Sequence, residues 1–162
     1  IQKGCRFYEG LVRVPLIFSW PSHFVEGERS DALVELLDKT PTIIELAGLE
    51  PPQRMQGRSL LPMLRGEVLL DHHRDSVRCE YYDALDEPDG SFATMYRDER
   101  YKLVVYHGHD LGELYDLEED PEEFENMWDE PEAQPVKLDV MQRSFDASML
   151  SMDRGSPRVG PM

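Results

Sequence analysis

The chain is 162 residues long, 40% hydrophobic and 9% aromatic, with a formal net charge of −16. That length suffices for one ordinary core, and no apolar run approaches the roughly 20 residues that a membrane helix needs, so no membrane span is expected. The acidic balance speaks against a nucleic-acid partner, because binding a phosphate backbone takes a basic surface that displaces counterions.

The densest signal comes first. Lys3-Gly4, then Tyr8-Glu9-Gly10, then Arg13-Val14-Pro15-Leu16-Ile17 read as the tail of an active-site loop that runs into a buried strand. Ile1 in place of an initiator Met suits a protein that continues upstream. Residues 14–18 are nearly all apolar, as in a strand covered on both faces. Pro15 has no N–H for central pairing, so the strand begins in earnest at Leu16, and Pro21-Ser22 ends it.

Residues 33–37 fit a helix or an extended segment equally well. A short helix follows, with Asp38 and Thr40 as alternative N-caps, Pro41 in the first turn, Ile43, Ile44, Leu46 and Ala47 as its apolar face, and Gly48 as its stop. Gly57-Arg58-Ser59 opens a short apolar turn over residues 60–64, closed by Gly66. Ser59 lacks the surroundings of a nucleophile elbow and reads as a cap. Residues 67–75, with the cluster Asp71-His72-His73-Arg74-Asp75, read as a polar, solvated linker; one of these histidines reaching a substrate cleft is the sharper alternative.

The second unit reads as a small antiparallel sheet. Val77, Cys79 and Tyr81 alternate with charged residues, residues 92–97 and 101–106 flank the turn Asp98-Glu99-Arg100, and residues 113–116 form a short fourth strand. The aromatic residues fall on strand faces, where packing accounts for them more simply than a carbohydrate platform. His107, His109 and Asp110 have the spacing of a metal-ligand pair, yet no third or fourth ligand stands near them. Residues 110–132 hold twelve acidic residues and no Lys or Arg, a pattern expected of a solvated loop and helix entry. Leu138, Met141, Phe145 and Met149 then recur at helical spacing and are expected to pack on a sheet face. Residues 153–162 read as an extended tail.

Taken in order, these segments resemble the sulfatases of the alkaline phosphatase superfamily. Lys3-Gly4, Tyr8-Glu9 and Arg13-Val14-Pro15 are similar to the sulfatase lysine loop and its following strand. Asp38-Lys39-Thr40-Pro41-Thr42, ending in Ala47-Gly48, resembles the D-x-x-P-T helix, and Gly57-Arg58-Ser59-Leu60-Leu61-Pro62 the G-x-S-L-x-P turn. Arg100-Tyr101-Lys102-Leu103, Glu113-Leu114-Tyr115-Asp116-Leu117, Asp120-Pro121-Glu122 and Asn126 are similar to the R-Y-K-L, E-L-Y-D-L, D-P-x-E and N sequence of the C-terminal sheet. Four weak matches in the right order make a strong one, and together they cover roughly residues 1–150.

The resemblance implies an α/β protein, more strictly an α+β fragment: part of a larger mixed sheet, then a four-stranded antiparallel sheet with a C-terminal helix. It divides the chain into residues 1–70, the end of the catalytic domain; 71–150, the sheet subdomain; and 151–162, the tail. It implies hydrolysis of sulfate esters in the intact protein, with Lys3 as the catalytic residue that binds the sulfate group. A fixed ammonium in a water-poor pocket stabilises charge building on the ester oxygens better than solvent does. Arg6, between Lys3 and Tyr8, would stand near the site mouth, where it contacts substrate or pairs with an acid such as Glu9.

The family's formylglycine nucleophile arises from a C-x-P-S-R or S-x-P-S-R motif. Cys5, followed by Arg6-Phe7-Tyr8, does not match it, so the nucleophile is expected upstream. The family's calcium is held by oxygen ligands that also lie upstream, so no complete metal site is expected in this chain. The implied partners are a sulfated small-molecule or carbohydrate substrate and the missing N-terminal part of the same protein. The rivals are a phosphonate monoester or phosphodiester hydrolase of the same superfamily and a non-enzymatic protein-binding module.

Overall fold

The computed structural model of the chain describes residues 6–83 and 92–152. Lys3, Cys5 and the tail over 153–162 therefore lie outside the described residues. By internal contacts the chain forms two units: residues 1–17 with 74–145, and residues 18–73 with 146–162.

The first unit is built on four strands, β1 (Val77–Tyr82), β2 (Phe92–Arg97), β3 (Tyr101–Tyr106) and β4 (Leu111–Asp116). They pair antiparallel in the order β1-β2-β3-β4, the sheet expected from the alternation of apolar and charged residues. Directly opposed residues point to the same face of a sheet. Cys79 lies opposite Met95, Met95 opposite Val104 and Val104 opposite Glu113, which defines one face. Tyr96, Leu103 and Leu114, opposed in the same way, define the other.

The N-terminal segment covers the first face. Phe7 is buried in one cluster with Ala93, Met95 and Val104, and Val12, Cys79, Tyr81 and Tyr106 pack around it. Its one helical turn, α1 (Glu9–Val12), ends at Arg13, two residues before a proline that could not extend the ladder. On the second face Leu103 and Leu114 are buried, and the Trp128 ring lies so close over Gly112 that a Cβ there would come within 2.2 Å of it.

Residues 13–20 form no strand. This corrects the expectation for residues 16–18, and Ile17 is 86% exposed. The pattern of an inner strand is present, but a strand needs neighbours to pair with, and the described residues supply none here. A second correction concerns α4 (Gln134–Ser151). Its buried residue is Val140, while Leu138, Met141, Phe145 and Met149 are all exposed. Val140 is two residues from Leu138, about 200° around the helix, so the expected stripe points away from the packed side.

In the second unit α2 (Lys39–Leu46) is the expected short helix. Gly48 stops it at φ +74°, and the Leu49 N–H donates back to the Ile44 carbonyl at 3.1 Å, which satisfies an end group the helix leaves open. α3 (Leu61–Leu64) carries Pro62 in its first turn. Ser59 Oγ accepts from the Leu61 N–H, and Gly66 closes the turn with φ +70°.

Asp38 does not cap α2 with its side chain. Fully buried, it instead accepts the N–H of Glu35 at 2.8 Å and of Arg58 at 2.7 Å, while Thr42 Oγ1 accepts the Leu60 N–H at 2.9 Å. Gly57 fits here because a Cβ would meet the Leu37 carbonyl oxygen at 2.2 Å. His73 is buried as well, its Nε2 3.5 Å from Asp38, so the cluster at residues 71–75 is not a wholly solvated linker. No helix among the described residues is long and apolar enough to cross a membrane.

Candidate functional site

The segment bearing Arg6 and Glu9 is laid on the sheet by two sets of charged and polar contacts. The inner set is centred on Lys102 of β3, whose side chain is 0% exposed. Its Nζ lies 2.7 Å from Glu123 Oε1 and 3.1 Å from Glu9 Oε1. Glu9 also meets Arg97 Nε at 3.3 Å, and its backbone N–H donates to Glu123 Oε2 at 2.7 Å. Two cations thus face two carboxylates, so the cluster is close to neutral. Ions taken out of water are tolerated only when paired and hydrogen-bonded in this way. The first residue of α1 is held by both its side chain and its backbone.

The outer set holds Arg6. Its Nη1 donates to the Tyr106 hydroxyl at 2.7 Å, and that hydroxyl donates to Glu113 Oε1 at 2.7 Å. The direct distance from Nη1 to Glu113 is 3.5 Å, longer than a charge-assisted hydrogen bond. The guanidinium carbon lies 5.3 Å from the Tyr106 ring centroid. Arg6 keeps 52% of its side chain exposed, against 9% for Glu113. Burial, reinforced by Glu113, pushes the Tyr106 phenol up to about 12. The bond to Tyr106 raises the Arg6 guanidinium above its ordinary value. Burial likewise raises the Tyr115 phenol; its hydroxyl points at the second oxygen of Glu113, 3.4 Å away.

Arg6 is thus the one candidate substrate residue inside the described part, half exposed and anchored from below. Lys3 lies outside the described residues. Glu9, offered as a plain partner for Arg6, is engaged with Arg97 and Lys102 instead. Sequence reasoning missed Lys102, Tyr106, Glu113 and Glu123. The signal for two of them was a charged residue within an otherwise apolar strand, as in Tyr101-Lys102-Leu103-Val104 and Leu111-Gly112-Glu113-Leu114.

Of the other candidates, His107 Nε2 lies 2.9 Å from Thr94 Oγ1. Among the described residues no group of three or more His, Cys, Asp or Glu side chains is placed to hold a metal ion.

The described residues thus form a meander sheet with an N-terminal loop clamped to one face and a helix following it. Residues 4–148 match the family described as N-sulphoglucosamine sulphohydrolase, C-terminal, and the chain belongs to that family. It is 32% identical over 139 residues to the N-acetylglucosamine-6-O-sulfatase of Bacteroides thetaiotaomicron, an alignment covering 83% of this chain and 25% of that protein. Among solved structures, a 2-O GAG sulfatase superposes with a TM-score of 0.61 at 29% identity, covering 70% of this chain and 24% of that one. The phosphonate monoester hydrolase of Agrobacterium radiobacter gives a TM-score of 0.61 at 26% identity, covering 72% and 25%. The chain spans about a quarter of the length of these relatives. It is a C-terminal sulfatase domain, with the mixed α/β character and four-stranded antiparallel sheet that its motifs implied.

Proposed function

We propose that the intact protein hydrolyses sulfate esters of carbohydrates. In this reading Lys3 binds the sulfate group, Arg6 contacts the substrate, and the sheet subdomain braces the catalytic domain and walls part of the cleft. The observation that carries it is the match to the sulfatase C-terminal family over residues 4–148, in register with a loop whose Arg6 stands half exposed on a buried anchor. The relatives' names, N-acetylglucosamine-6-O-sulfatase and 2-O GAG sulfatase, support a sulfated sugar as the substrate class. The formylglycine nucleophile and the calcium ligands belong, in this reading, to the remainder of the protein. The domain limits near residues 70 and 150 of this chain, suggested by its motifs, are part of the same reading.

The deciding experiment assays the full-length protein on 6-O-sulfated N-acetylglucosamine and on an aryl sulfate. Sulfate release is expected, and Lys3→Ala is expected to lower kcat by about 10²–10³, the usual loss when one charge-stabilising donor is removed. A wild-type protein that cleaves phosphonate monoesters and leaves both sulfate esters intact would overturn the reading. That second activity is favoured specifically by the likeness to the Agrobacterium hydrolase.

A further inference from the structure

We infer that Tyr106 and Glu113 are positioning residues for Arg6, holding its guanidinium by a single nitrogen so that the rest of its donor edge is presented to an anionic group of the substrate. The inference rests on the reading that Arg6 contacts substrate, and adds the residues that would make it competent to do so.

A guanidinium beside a carboxylate ordinarily forms a two-point fork, which occupies its donors and cancels its charge. That fork is absent here. The Tyr106 hydroxyl stands between the two groups, accepting from Nη1 and donating to Glu113. The direct approach to Glu113 is through the same Nη1, at 3.5 Å. Nε and Nη2 have no partner among the described residues. Arg6 is therefore oriented while the described residues leave most of its donors unengaged. It is also held rigidly, since Tyr106 lies on β3 and Glu113 on the adjacent β4, and groups set on paired strands keep their geometry better than groups on loops.

Glu113 gains from the same arrangement. A nearly buried carboxylate must be hydrogen-bonded or paired, and it receives the Tyr106 hydroxyl together with the nearby charge of Arg6. With its phenol pushed up to about 12, Tyr106 stays protonated at any ordinary assay pH. The direction of the relay from Arg6 to Tyr106 to Glu113 is therefore fixed.

The test uses the full-length protein and initial rates on a sulfated sugar. Tyr106→Phe removes one hydroxyl and keeps the ring. It is expected to raise KM about tenfold, the size of one hydrogen bond to a charged group, with kcat within about twofold of wild type. The inhibition constant of inorganic sulfate should rise in parallel. Glu113→Gln, which keeps an acceptor, should raise KM less than Glu113→Ala. Arg6→Ala combined with Tyr106→Phe should be no worse than Arg6→Ala alone, because the two act as one unit. An active wild type whose KM is raised by Arg6→Ala but unchanged by Tyr106→Phe overturns this inference alone, as do losses that multiply in the double variant, whereas a KM unchanged by Arg6→Ala overturns the substrate contact of Arg6 and this inference together. A folded wild type without sulfate-ester hydrolysis overturns the functional reading and this inference together.

Discussion

Lys102 shows how strongly a single buried charge ties the loop to the sheet. Replacing it with Met would leave Glu9 and Glu123 facing each other with only Arg97 to offset them. Removing one partner of a buried pair costs about 3–5 kcal/mol. Lys102→Met should therefore lower the melting temperature of the protein sharply, whereas an ordinary surface substitution shifts stability by no more than about 0.5 kcal/mol. Arg100 makes a different kind of pair. It reaches Asp116 through Nε and Nη2, at 3.1 Å and 2.7 Å, and this bond holds the Asp116 carboxyl below its ordinary value of 3.8. A carboxyl depressed in the folded state stabilises it above the unfolded pKa, and that contribution is lost as pH falls through the folded value. Arg100→Ala should accordingly melt earlier than wild type near neutrality, with the gap closing as the solution is acidified below pH 3.8; a gap constant with pH would refute the assignment.

These roles were only half legible in the letters. Lys102 and Glu113 could be quoted as parts of motifs, but a charged residue in a strand ordinarily faces water. Their partners Glu9 and Arg6 stand some 100 residues earlier, a separation that no local pattern encodes. Asp38 is the counterpart in the other unit: its type suggested the N-cap of α2, and its side chain instead receives the backbone N–H groups of Glu35, before that helix, and Arg58, after it.

The strands, helices and turns were legible to different degrees. All four strands follow from alternation and turn chemistry because each one finds its neighbour close by in sequence. The apolar run over residues 14–18 carries an equally clear pattern, yet it forms no strand, because the described residues offer it no neighbour to pair with. In α4 periodicity gave the helix correctly and its packed side incorrectly. Leu138, Met141, Phe145 and Met149 have the larger side chains, but Val140 is the residue that goes inside. In the 162-residue chain Val140→Ala should cost about 1–3 kcal/mol and Phe145→Ser almost nothing, a contrast that denaturant unfolding would read directly. Close approach sets the outcome at two glycines. Gly112→Ala drives a methyl into the Trp128 ring, and Gly57→Ala drives one into the Leu37 carbonyl. Each should destabilise by about 1–3 kcal/mol, the usual penalty for overpacking.

For the molecule entire, the proposed function divides the chemistry between this chain and the part that would carry the nucleophile. The isolated 162 residues should release no sulfate from an aryl sulfate under conditions where the full-length protein does; measurable turnover would place the nucleophile within this chain. The acidic stretch over residues 110–132 is also less uniform than its composition suggested. Glu113 and Glu123 are buried in the two anchoring sets, and Asp120 receives the N–H groups of Phe124 and Glu125. Such charges belong to the architecture, and only the remainder is free to face solvent.

The clasp on Glu9 also carries a consequence for biosynthesis. On the ribosome the segment bearing Arg6 and Glu9 emerges about ninety residues before Lys102 and more than a hundred before Glu123, so its full set of contacts waits until β3, β4 and the following loop are outside the exit tunnel. A nascent chain stopped ahead of residue 123 would keep the contacts of that segment to Arg97, Lys102 and Tyr106 but would lack the carboxylate that pairs with Lys102 and receives the Glu9 N–H.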